Sequence, residues 1–328
     1  MSDELFVVGA GAWGVALAHA AGMSGRNVRL CGRDQQVVDQ INATHVNPQY
    51  PDLASVHESV KAQVGYADIE HCDTLLMVVP AQVTRQVISD IGQALAGKNI
   101  ILCAKGLEQN TLKRQSEIVV ELVPDATPFS LSGPSFAIDV AQSKPTAVTL
   151  AGPTMAQARA MVDLLAGPTF RPYSSDDLIG VELAGALKNV YALGAGAVEG
   201  AGLGFSARSS LIARGFAEMG RLVEALGGSA STLTSLAGLG DLTMSCTARE
   251  SRNYEFGHRL GAGETVAEIL NSGAKLAEGV FSTPVSLKLA QENDVETPIV
   301  AAVNALLEGK ATIDMLVASL MTRPLRSE

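Results

Sequence analysis

Aromatic and charged residues are scarce in this sequence of 328 residues, at 4% and 18%. The hydrophobic fraction is 47% and Gly and Ala are abundant, which favours closely packed helices and Gly-rich turns around large cores. The 24 Lys and Arg residues are outnumbered by 34 Asp and Glu, for a formal net charge of −10. A nucleic-acid surface needs clustered basic residues, so we expect no nucleic-acid partner, although a local basic pocket for a small anion is compatible with this charge.

Cysteine is equally scarce, and no CxxC spacing occurs among the four residues, which are Cys31, Cys72, Cys103 and Cys246. They lie mostly in apolar runs, which is typical of reduced core thiols and of a reducing compartment. Asp3 and Glu4 precede the first apolar run, where a secretory signal would carry positive charge. Uninterrupted apolar runs of the roughly 18 residues needed to span a bilayer are also missing. We therefore expect a cytoplasmic protein without a membrane span.

The length of the chain suits two domains of about 150 residues each. Early in the chain, short apolar runs alternate with helical stretches, which is typical of an α/β domain with a doubly wound parallel sheet. We predict this domain over residues 1–180 and an all-helical domain over residues 181–328. The predicted strands are Leu5–Val8, Asn27–Cys31, Thr74–Pro80, Asn99–Ala104, Pro128–Ser132 and Ala147–Leu150, with a further one from Phe170 and an irregular stretch from Asn42 to Tyr66.

A glycine-rich turn follows the first predicted strand at once. Gly9, Gly11 and Gly14 form a G-x-G-x-x-G motif between that strand and a helical stretch that begins near Val15. In this setting the glycines allow a tight turn, close approach of a pyrophosphate and close helix packing. The N–H groups at the helix start would then face the phosphates. We interpret the first domain as a Rossmann domain that binds a dinucleotide.

The end of the second strand bears on which dinucleotide binds. NAD sites usually place an acidic side chain there, about 20 residues after the glycine motif, to hold the ribose hydroxyls. This chain has Arg33, whose guanidinium suits a 2′-phosphate, followed by Asp34. We therefore expect NADP(H) to be preferred, with NAD(H) as the alternative cofactor.

Polar residues follow two of the later strands. Lys105 comes directly after the strand Asn99–Ala104, and Gly133 and Ser135 follow the strand Pro128–Ser132. Ligands of doubly wound sheets lie outside the carboxyl ends of the strands. We therefore expect Lys105 to point into that crevice and the two strand ends to contribute to one site.

The stretch Val181–Gly196 predicts a helix with Lys188 near its centre. Residues four, three and four apart share a helix face, and this face carries only Val, Gly and Ala around one ammonium. No acidic residue stands three or four positions from Lys188 to pair with it. Lys188 is either an ordinary solvated lysine or a group beside which small residues leave room for a flat polar ligand. Because this helix opens the second domain, Lys188 would lie near the seam between the domains, a common place for a substrate.

Two further stretches of the second domain concentrate polar groups. Asp241 follows a Gly-rich turn, and the run Ser251–Asn253 offers a hydroxyl, a guanidinium and an amide near a helix start. Such a run can bind a phosphate or can simply cap the helix. The pairs Thr283–Pro284 and Thr297–Pro298 are typical of N-cap and N1 residues that begin two more helices. Because His, Cys, Asp and Glu show no metal-ligand spacing, we expect no metal ion.

Several segments of the chain match one family together and in order. They are Gly9–Gly14, Asn47–Pro48, Lys105–Gly106, Gly133–Ala137, Glu182–Val190, Arg214–Gly215, Gly240–Leu242, Ser251–Asn253 and Glu278–Gly279. From end to end the chain resembles the bacterial-type NAD(P)-dependent glycerol-3-phosphate dehydrogenases. The resemblance implies reduction of dihydroxyacetone phosphate to sn-glycerol 3-phosphate, the precursor for phospholipid synthesis. It also implies a helical domain like that of 6-phosphogluconate dehydrogenase, and a homodimer.

The matching positions carry roles over to this chain. The resemblance implies that Lys188, the proton donor or acceptor, acts with Lys105 and Asp241 as the catalytic residues; Asp241 could orient Lys188, and Lys105 could supply a second cation. The implied substrate-binding residues are Lys105, Gly133, Ser135, Lys188, Asp241, Ser251, Arg252 and Asn253. The implied cofactor-binding residues are Gly9, Gly11, Ala12, Trp13, Gly14, Arg33, Lys105, Ala137, Arg252, Leu276 and Glu278.

The chain departs from the family pattern in three places, and the residues alone leave two other functions open. It has Ala12 where Ser is frequent, Ala81–Gln82 where Ser-His is frequent, and Phe205–Ser206 where Asp-Asn is common. One alternative is a dehydrogenase of similar build for a hydroxy acid or ketopantoate, in which Arg252 would bind a carboxylate. The other is a catalytically silent NADPH sensor, against which the intact lysines and aspartate argue.

Overall fold

The computed structural model describes residues 4–274 and 276–322. Strands of the N-terminal part form one sheet: β1 (Glu4–Val8), β2 (Asn27–Gly32), β3 (Val60–Val64), β4 (Thr74–Met77), β5 (Asn99–Leu102), β6 (Thr127–Ser132), β7 (Thr146–Ala151) and β8 (Phe170–Ser175). Their order is β3-β2-β1-β4-β5-β6-β7-β8, and neighbours are parallel except for β6 and β7. The strand order reverses between β1 and β4, which is the point where doubly wound sheets bind their ligands.

Both faces of this sheet are buried, because successive residues of a strand point to opposite sides. In β1, Leu5 and Val7 join one apolar core, whereas Phe6 and Val8 join a second core on the other face. The helices of this domain are α1 (Ala12–Met23), α2 (Gln35–Thr44), α3 (Thr84–Ile91), α4 (Gln115–Leu122), α5 (Ala137–Ala141) and α6 (Met155–Leu165). Short 3₁₀ turns occur at Ile69–His71, Ala81–Val83 and Gly92–Leu95. Residues of α3 and α4 join the second core, and those of the other four helices join the first.

The rest of the described chain is helical. Its helices are α7 (Leu178–Gly200), α8 (Gly204–Ala225), α9 (Ala230–Leu233), α10 (Asp241–Thr247), α11 (Arg252–Gly261), α12 (Val266–Asn271), α13 (Glu278–Glu292), α14 (Pro298–Leu307) and α15 (Ile313–Met321), with a π-helical turn at Leu236–Gly240. A Rossmann-type sheet domain followed by an all-helical domain confirms the predicted fold class. The division between residues 180 and 181 stays a prediction; β8 ends at Ser175 and α7 begins at Leu178.

Helix α7 is the core of the helical part. It is long and apolar enough to cross a membrane by length and composition, although Glu182 and Lys188 interrupt its apolar run. Within the protein, however, 89% of its most apolar window is buried. Glu182 of α7 also reaches the other domain, where its carboxylate accepts hydrogen bonds from the Ser116 hydroxyl and, at 2.8 Å, from the Ser116 backbone N–H. Helix α7 is therefore a buried core helix that also joins the two domains.

Two local predictions were wrong. The stretch predicted to be irregular contains β3, an edge strand in which exposed Lys61 and half-buried Gln63 alternate with buried residues and so interrupt the apolar signal. Pro284 does not begin a helix but lies inside α13. Thr283 makes no N-cap, because its hydroxyl donates instead to the carbonyl of Gly279 at 2.6 Å. The other pair behaves as predicted, since Thr297 is the N-cap of α14 and Pro298 its first residue.

Candidate active site

The turn between β1 and α1 has the shape that a dinucleotide needs. Gly9 has a φ of +117°, and a Cβ on Gly14 would lie 1.8 Å from the carbonyl oxygen of Gly9, so neither position accepts a side chain. Gly11, the N-cap of α1, faces open space, with no described atom within 4 Å of the position that a Cβ would take. Ala12 and Trp13 then begin the helix. The N–H groups of this helix start can therefore receive a pyrophosphate.

The two charged residues that follow β2 differ in their hydrogen bonds. Arg33 is exposed. Asp34 is the N-cap of α2, and its carboxylate accepts hydrogen bonds from the N–H groups of Gln36 at 2.9 Å and Val37 at 3.4 Å. A carboxylate engaged in a helix cap is less free to hold ribose hydroxyls, so Arg33 is the better candidate for contact with a cofactor.

A lysine from each domain binds the same buried carboxylate. Nζ of Lys105 lies 2.7 Å from Oδ2 of Asp241, and Nζ of Lys188 lies 2.9 Å from Oδ1. Lys105 also donates to the carbonyl oxygen of Gly133 at 2.9 Å. The Asp241 and Lys188 side chains are 0% and 8% exposed, whereas that of Lys105 is 18% exposed. Lys105 is therefore the member of the cluster that solvent reaches most readily.

Local sequence explains how Lys105 reaches this carboxylate. Lys105 lies just beyond β5, and Asp241 is the first residue of α10. Gly185 stands one turn before Lys188 on α7, and a Cβ there would lie 2.9 Å from Oγ of Ser132 and 3.5 Å from Cγ of Lys105. The missing side chain at Gly185 therefore allows the Lys105 side chain to pass close to α7.

Burial and charge set the protonation of the cluster. Burial is the main influence on Lys188 and lowers the pKa of its ammonium to about 8. Asp241 opposes this shift, whereas the nearby ammonium of Lys105 adds to it. Burial alone would raise the pKa of the Asp241 carboxyl, but Lys105 and Lys188 together hold that pKa below its ordinary value. At neutral pH two ammoniums therefore face one carboxylate, which leaves the cluster net positive.

Ser245, for which the sequence predicted no role of its own, completes the cluster. It is buried on α10, with Oγ 2.6 Å from Nζ of Lys188 and 3.3 Å from Oδ1 of Asp241. A hydroxyl can accept from an ammonium and donate to a carboxylate, so Ser245 orients both groups. Its spacing of four residues from Asp241 within one helix was the signal that could have identified it.

Asn189, next to Lys188, was also not predicted. Its Nδ2 donates to the carbonyl oxygen of Lys105 at 2.8 Å, and its Oδ1 accepts from Nδ2 of Asn253 at 2.7 Å. Oδ1 of Asn253 in turn accepts from the N–H of Gly279 at 2.8 Å. This series of amides links the segment after β5 to the starts of α11 and α13.

The predicted phosphate-binding run lies at the start of α11. Ser251 is the N-cap, and its Oγ accepts from the N–H of Tyr254 at 3.4 Å. Arg252 begins the helix and is exposed, whereas Asn253 is buried. The run therefore caps its helix and also presents a guanidinium beside the helix N-terminus, where an anion is favoured.

The end of β6 carries the next group of predicted residues. Gly133 has a φ of +145°, and a Cβ there would lie 2.9 Å from Cα of Val148, so the tight turn requires glycine. Oγ of Ser135 donates to the carbonyl of Gly133 at 3.0 Å. Ala137 begins α5. The carbonyl of Gly133 thus accepts from both Ser135 and Lys105, which places this turn against the lysine cluster.

The start of α13 contacts the sheet domain. Oε1 of Glu278 accepts from the N–H of Ala81 at 3.3 Å, and Leu276 just before the helix is 38% exposed. Burial raises the pKa of the Glu278 carboxyl despite the opposing charge of Arg252. Oε2 of Glu278 and Nε1 of Trp13 are buried without a hydrogen-bond partner in the described part of the chain. Unpartnered polar atoms at two of the expected cofactor positions fit a site that binds a polar ligand.

Much of the small-residue face of α7 is covered by protein. At Gly196 a Cβ would lie 2.0 Å from the carbonyl oxygen of Tyr254, so α11 packs directly against this face. At this end of the face the small residues admit a neighbouring helix, and room for a flat polar ligand beside Lys188 stays a prediction. The alternative of a solvated Lys188 is wrong, since Lys188 is 6% exposed and pairs with Asp241.

The departure at Phe205–Ser206 lies away from this cluster. Phe205 is 77% exposed in the first turn of α8, with its ring 5.2 Å from Cζ of Arg208. Arg208 binds Glu199 near the end of α7. Glu199 is about 16 Å along the helix axis from Lys188, at 1.5 Å per residue. Phe205 therefore lies near the C-terminal end of α7, whereas Lys188 lies near the middle of that helix.

Fold and site together define a class of protein. A Rossmann-type sheet with an open glycine turn precedes an all-helical domain, and both domains contribute to one lysine–carboxylate cluster. Across the described ranges, no three His, Cys, Asp or Glu residues are grouped so that they could hold a metal ion. This architecture is typical of a two-domain NAD(P)-dependent oxidoreductase.

Comparison with known proteins narrows the class to one family. Models of the NAD-dependent glycerol-3-phosphate dehydrogenase N-terminus and C-terminus match residues 4–158 and 177–318. The glycerol-3-phosphate dehydrogenases (NAD(P)+) of Maricaulis maris and Erythrobacter litoralis are 45% and 44% identical over 99% and 100% of this chain and 98% of each relative. A crystal structure of glycerol-3-phosphate dehydrogenase from Coxiella burnetii has a TM-score of 0.90 at 36% identity, covering 98% of this chain and 99% of that one. The chain belongs to the bacterial-type NAD(P)-dependent glycerol-3-phosphate dehydrogenase family, as its motifs predicted.

Proposed function

We propose that this chain reversibly reduces dihydroxyacetone phosphate to sn-glycerol 3-phosphate for phospholipid synthesis, with Lys188 as the general acid and base. The observation that supports this most is the buried carboxylate of Asp241 between the ammoniums of Lys105 and Lys188. A ketone that is being reduced develops negative charge on its oxygen. A net positive cluster with a lysine of lowered pKa is suited to stabilising and protonating that oxygen.

The contacts of the cluster support a role for each of its members. When bound, the nicotinamide supplies the hydride. Lys188 donates the proton in the reductive direction and accepts it in the oxidative direction, which contributes roughly 10²–10⁴-fold. Asp241 and Ser245 hold the Lys188 ammonium in place through hydrogen bonds of 2.9 Å and 2.6 Å. Lys105, the most exposed of the three charged groups, contacts the substrate directly.

Binding of the phosphate positions the carbonyl. Arg252 and the N–H groups at the start of α11 bind the phosphate, with Ser251 and Asn253 beside them, and Gly133 and Ser135 also contact the substrate. Contacts to this nonreacting group hold the carbonyl close to Lys188, and orientation of this kind lowers the barrier. Arg252 also contributes to the cofactor site, as its charge acts on Glu278, which is proposed to contact the cofactor.

The cofactor occupies the turn between β1 and α1, with Gly9, Gly11, Ala12, Trp13 and Gly14 at its pyrophosphate. Arg33 binds the 2′-phosphate, so NADP(H) is preferred over NAD(H). Lys105, Ala137, Leu276 and Glu278 complete this site. The proposal further includes a homodimer, a cytoplasmic location and the division into a dinucleotide-binding domain (residues 1–180) and a substrate-binding domain (residues 181–328).

A substrate panel tests the proposed reaction. NADPH oxidation is measured with dihydroxyacetone phosphate, with dihydroxyacetone and with ketopantoate. The phosphorylated ketone should give the highest kcat/KM, and Arg252→Ala should remove most of its advantage over dihydroxyacetone because the phosphate contact is lost. Turnover of ketopantoate at a higher kcat/KM would assign Arg252 to a carboxylate and overturn the proposal.

A further inference from the structure

The segment that carries Lys105 has no regular secondary structure. Residues 103–114 connect β5 to α4 without a helix or strand. An irregular segment holds its shape only where its backbone polar groups find partners. The placement of Lys105 therefore depends on what binds the backbone around it.

Three consecutive carbonyl groups of this segment each accept a hydrogen bond from a different side-chain amide. Asn189 donates to the carbonyl of Lys105 at 2.8 Å, and Gln115 donates to that of Gly106 at 2.9 Å. Gln82 donates to the carbonyl of Leu107 at 2.8 Å. The amides come from α7, from α4 and from the 3₁₀ turn after β4, so the segment is held from three sides.

Gln82 makes two hydrogen bonds to the segment, whereas Asn189 and Gln115 each make the one described above. Its Nε2 donates to the carbonyl of Leu107, and its Oε1 accepts from the N–H of Gln109 at 3.0 Å. One carboxamide thus binds a donor and an acceptor two residues apart, which fixes the course of the backbone between them. Two hydrogen bonds from one side chain to a short segment favour a single conformation of that segment.

The turn that carries Gln82 is itself packed tightly. A Cβ on Gly106 would lie 2.9 Å from Cβ of Ala81 and 3.0 Å from Oε2 of Glu278. Ala81 also donates its N–H to Glu278. Three residues after Gln82, Arg85 binds the Glu108 carboxylate at 2.8 Å. The turn and the start of α3 therefore form a rigid support beside the Lys105 segment.

We infer that Gln82 is a positioning residue for catalysis: by binding Leu107 and Gln109 it fixes the backbone that directs Lys105 to Asp241 and the substrate. This inference rests on the role proposed for Lys105. Gln82 stands at a position where the chain departs from the residues frequent in its family, and the structure gives that residue a defined task. A displacement of about 1 Å in a catalytic group can lower the rate by about 10²-fold.

A double-mutant cycle tests the inference. Gln82→Met keeps the length of the side chain and removes both hydrogen bonds, and Lys105→Met removes the group that Gln82 is inferred to position. Gln82→Met should lower kcat/KM for dihydroxyacetone phosphate about tenfold or more in the parent, but have little further effect in Lys105→Met, because both changes act through one group. Equal losses in both backgrounds, or no loss in the parent, would overturn the inference.

The pH profile separates positioning from a general structural defect. Displacing the Lys105 ammonium weakens its effect on Lys188, so the pKa governing ketone reduction should move upward in Gln82→Met. Gln86→Met is the matched control, since Gln86 lies on α3 and donates to Asp90 on the exposed surface at 2.7 Å. The control should keep the parent profile. A parent profile in Gln82→Met, despite a loss of rate, would contradict the inference.

A measurement without substrate distinguishes failure of this inference from failure of the proposed reaction. Hydrogen exchange of the Gln109 N–H should become faster in Gln82→Met and stay unchanged in Gln86→Met, since only the former removes its acceptor. Unchanged exchange in Gln82→Met would overturn the inference even if dihydroxyacetone phosphate is the substrate. A parent that does not turn over this ketone would instead overturn the proposed reaction, with the exchange result still deciding the role of Gln82 in the segment.

Discussion

Nζ of Lys188 lies 2.9 Å from Oδ1 of Asp241, and both side chains are buried. Lys105 binds the other oxygen of the same carboxylate, so neither ammonium is fully neutralised by a carboxylate of its own. The cluster therefore combines a lysine that is easily deprotonated with an excess of positive charge. Both properties suit a group that exchanges a proton with an oxygen carrying developing negative charge.

The pH dependence of the two reaction directions should be opposite. Burial lowers the pKa of Lys188 to about 8, so the ammonium required for ketone reduction is lost as the pH rises through that value. The amine required for alcohol oxidation appears over the same range. We expect kcat/KM for reduction to fall and that for oxidation to rise through about pH 8, measured by initial rates in both directions. A reductive rate that increases through this range would rule out Lys188 as the acid.

Replacing Lys105 or Asp241 should shift the pH at which the rate of ketone reduction falls, in opposite directions. Lys105 lowers the pKa of Lys188 and Asp241 raises it. Lys105→Met should therefore shift the reductive pH profile upward, and Asp241→Asn should shift it downward, each with a loss of rate. Lys144→Met, which alters an exposed lysine, is the control and should leave the profile in place. Shifts of the same sign in both variants would contradict this account of the cluster.

Asp241 should also stabilise the fold in a pH-dependent way. Its pKa is lower in the folded chain than in the unfolded one, so its contribution is present above the ordinary range of Asp and is lost as the pH falls through the lowered value. Breaking a buried ion pair costs about 3 kcal/mol or more, so Asp241→Asn should lower the free energy of unfolding by that amount at neutral pH. Urea denaturation at several pH values measures this, with the exposed Asp163→Asn as control. A difference that does not shrink in acid would contradict the prediction.

Arg33 should control the choice of cofactor. Its guanidinium is exposed at the end of β2, while Asp34 is engaged in capping α2. Arg33→Ala should weaken NADPH binding more than NADH binding, because only NADPH carries the 2′-phosphate. Titration of both cofactors into parent and variant measures the two dissociation constants. Equal losses for both would remove the basis for NADP(H) preference.

Much of the fold could be predicted because its signals are local. Buried parallel strands require short apolar runs, and the turn at Gly9–Gly14 requires glycines at set positions. Strand β3 was not predicted because exposed residues such as Lys61 interrupt the apolar pattern of this edge strand. Pro284 was wrongly predicted to begin a helix, because a proline can also lie inside a helix when packing compensates for the lost hydrogen bond.

The site could be predicted only as a set of separate residues. Lys188 and Asp241 are 53 positions apart and Lys105 and Asp241 are 136 apart, so no local pattern shows their contacts. The supporting amides were harder still to identify, since Asn189 and Gln82 act by binding backbone groups rather than by carrying charge. Family resemblance named the reactive groups, whereas the packing of α7 against its neighbours shows what holds them in place.

The most direct test of the account is NADPH oxidation with dihydroxyacetone phosphate in the parent, in Lys188→Met and in Lys288→Met. Lys288 is an exposed lysine on α13, with a side chain 60% accessible, and serves as the matched control. Cofactor binding is measured in all three by fluorescence titration. We expect turnover in the parent and in Lys288→Met, and a loss of at least about 10²-fold in Lys188→Met with NADPH binding retained. Turnover in Lys188→Met close to that of the parent would contradict the assignment of Lys188 as the general acid and base.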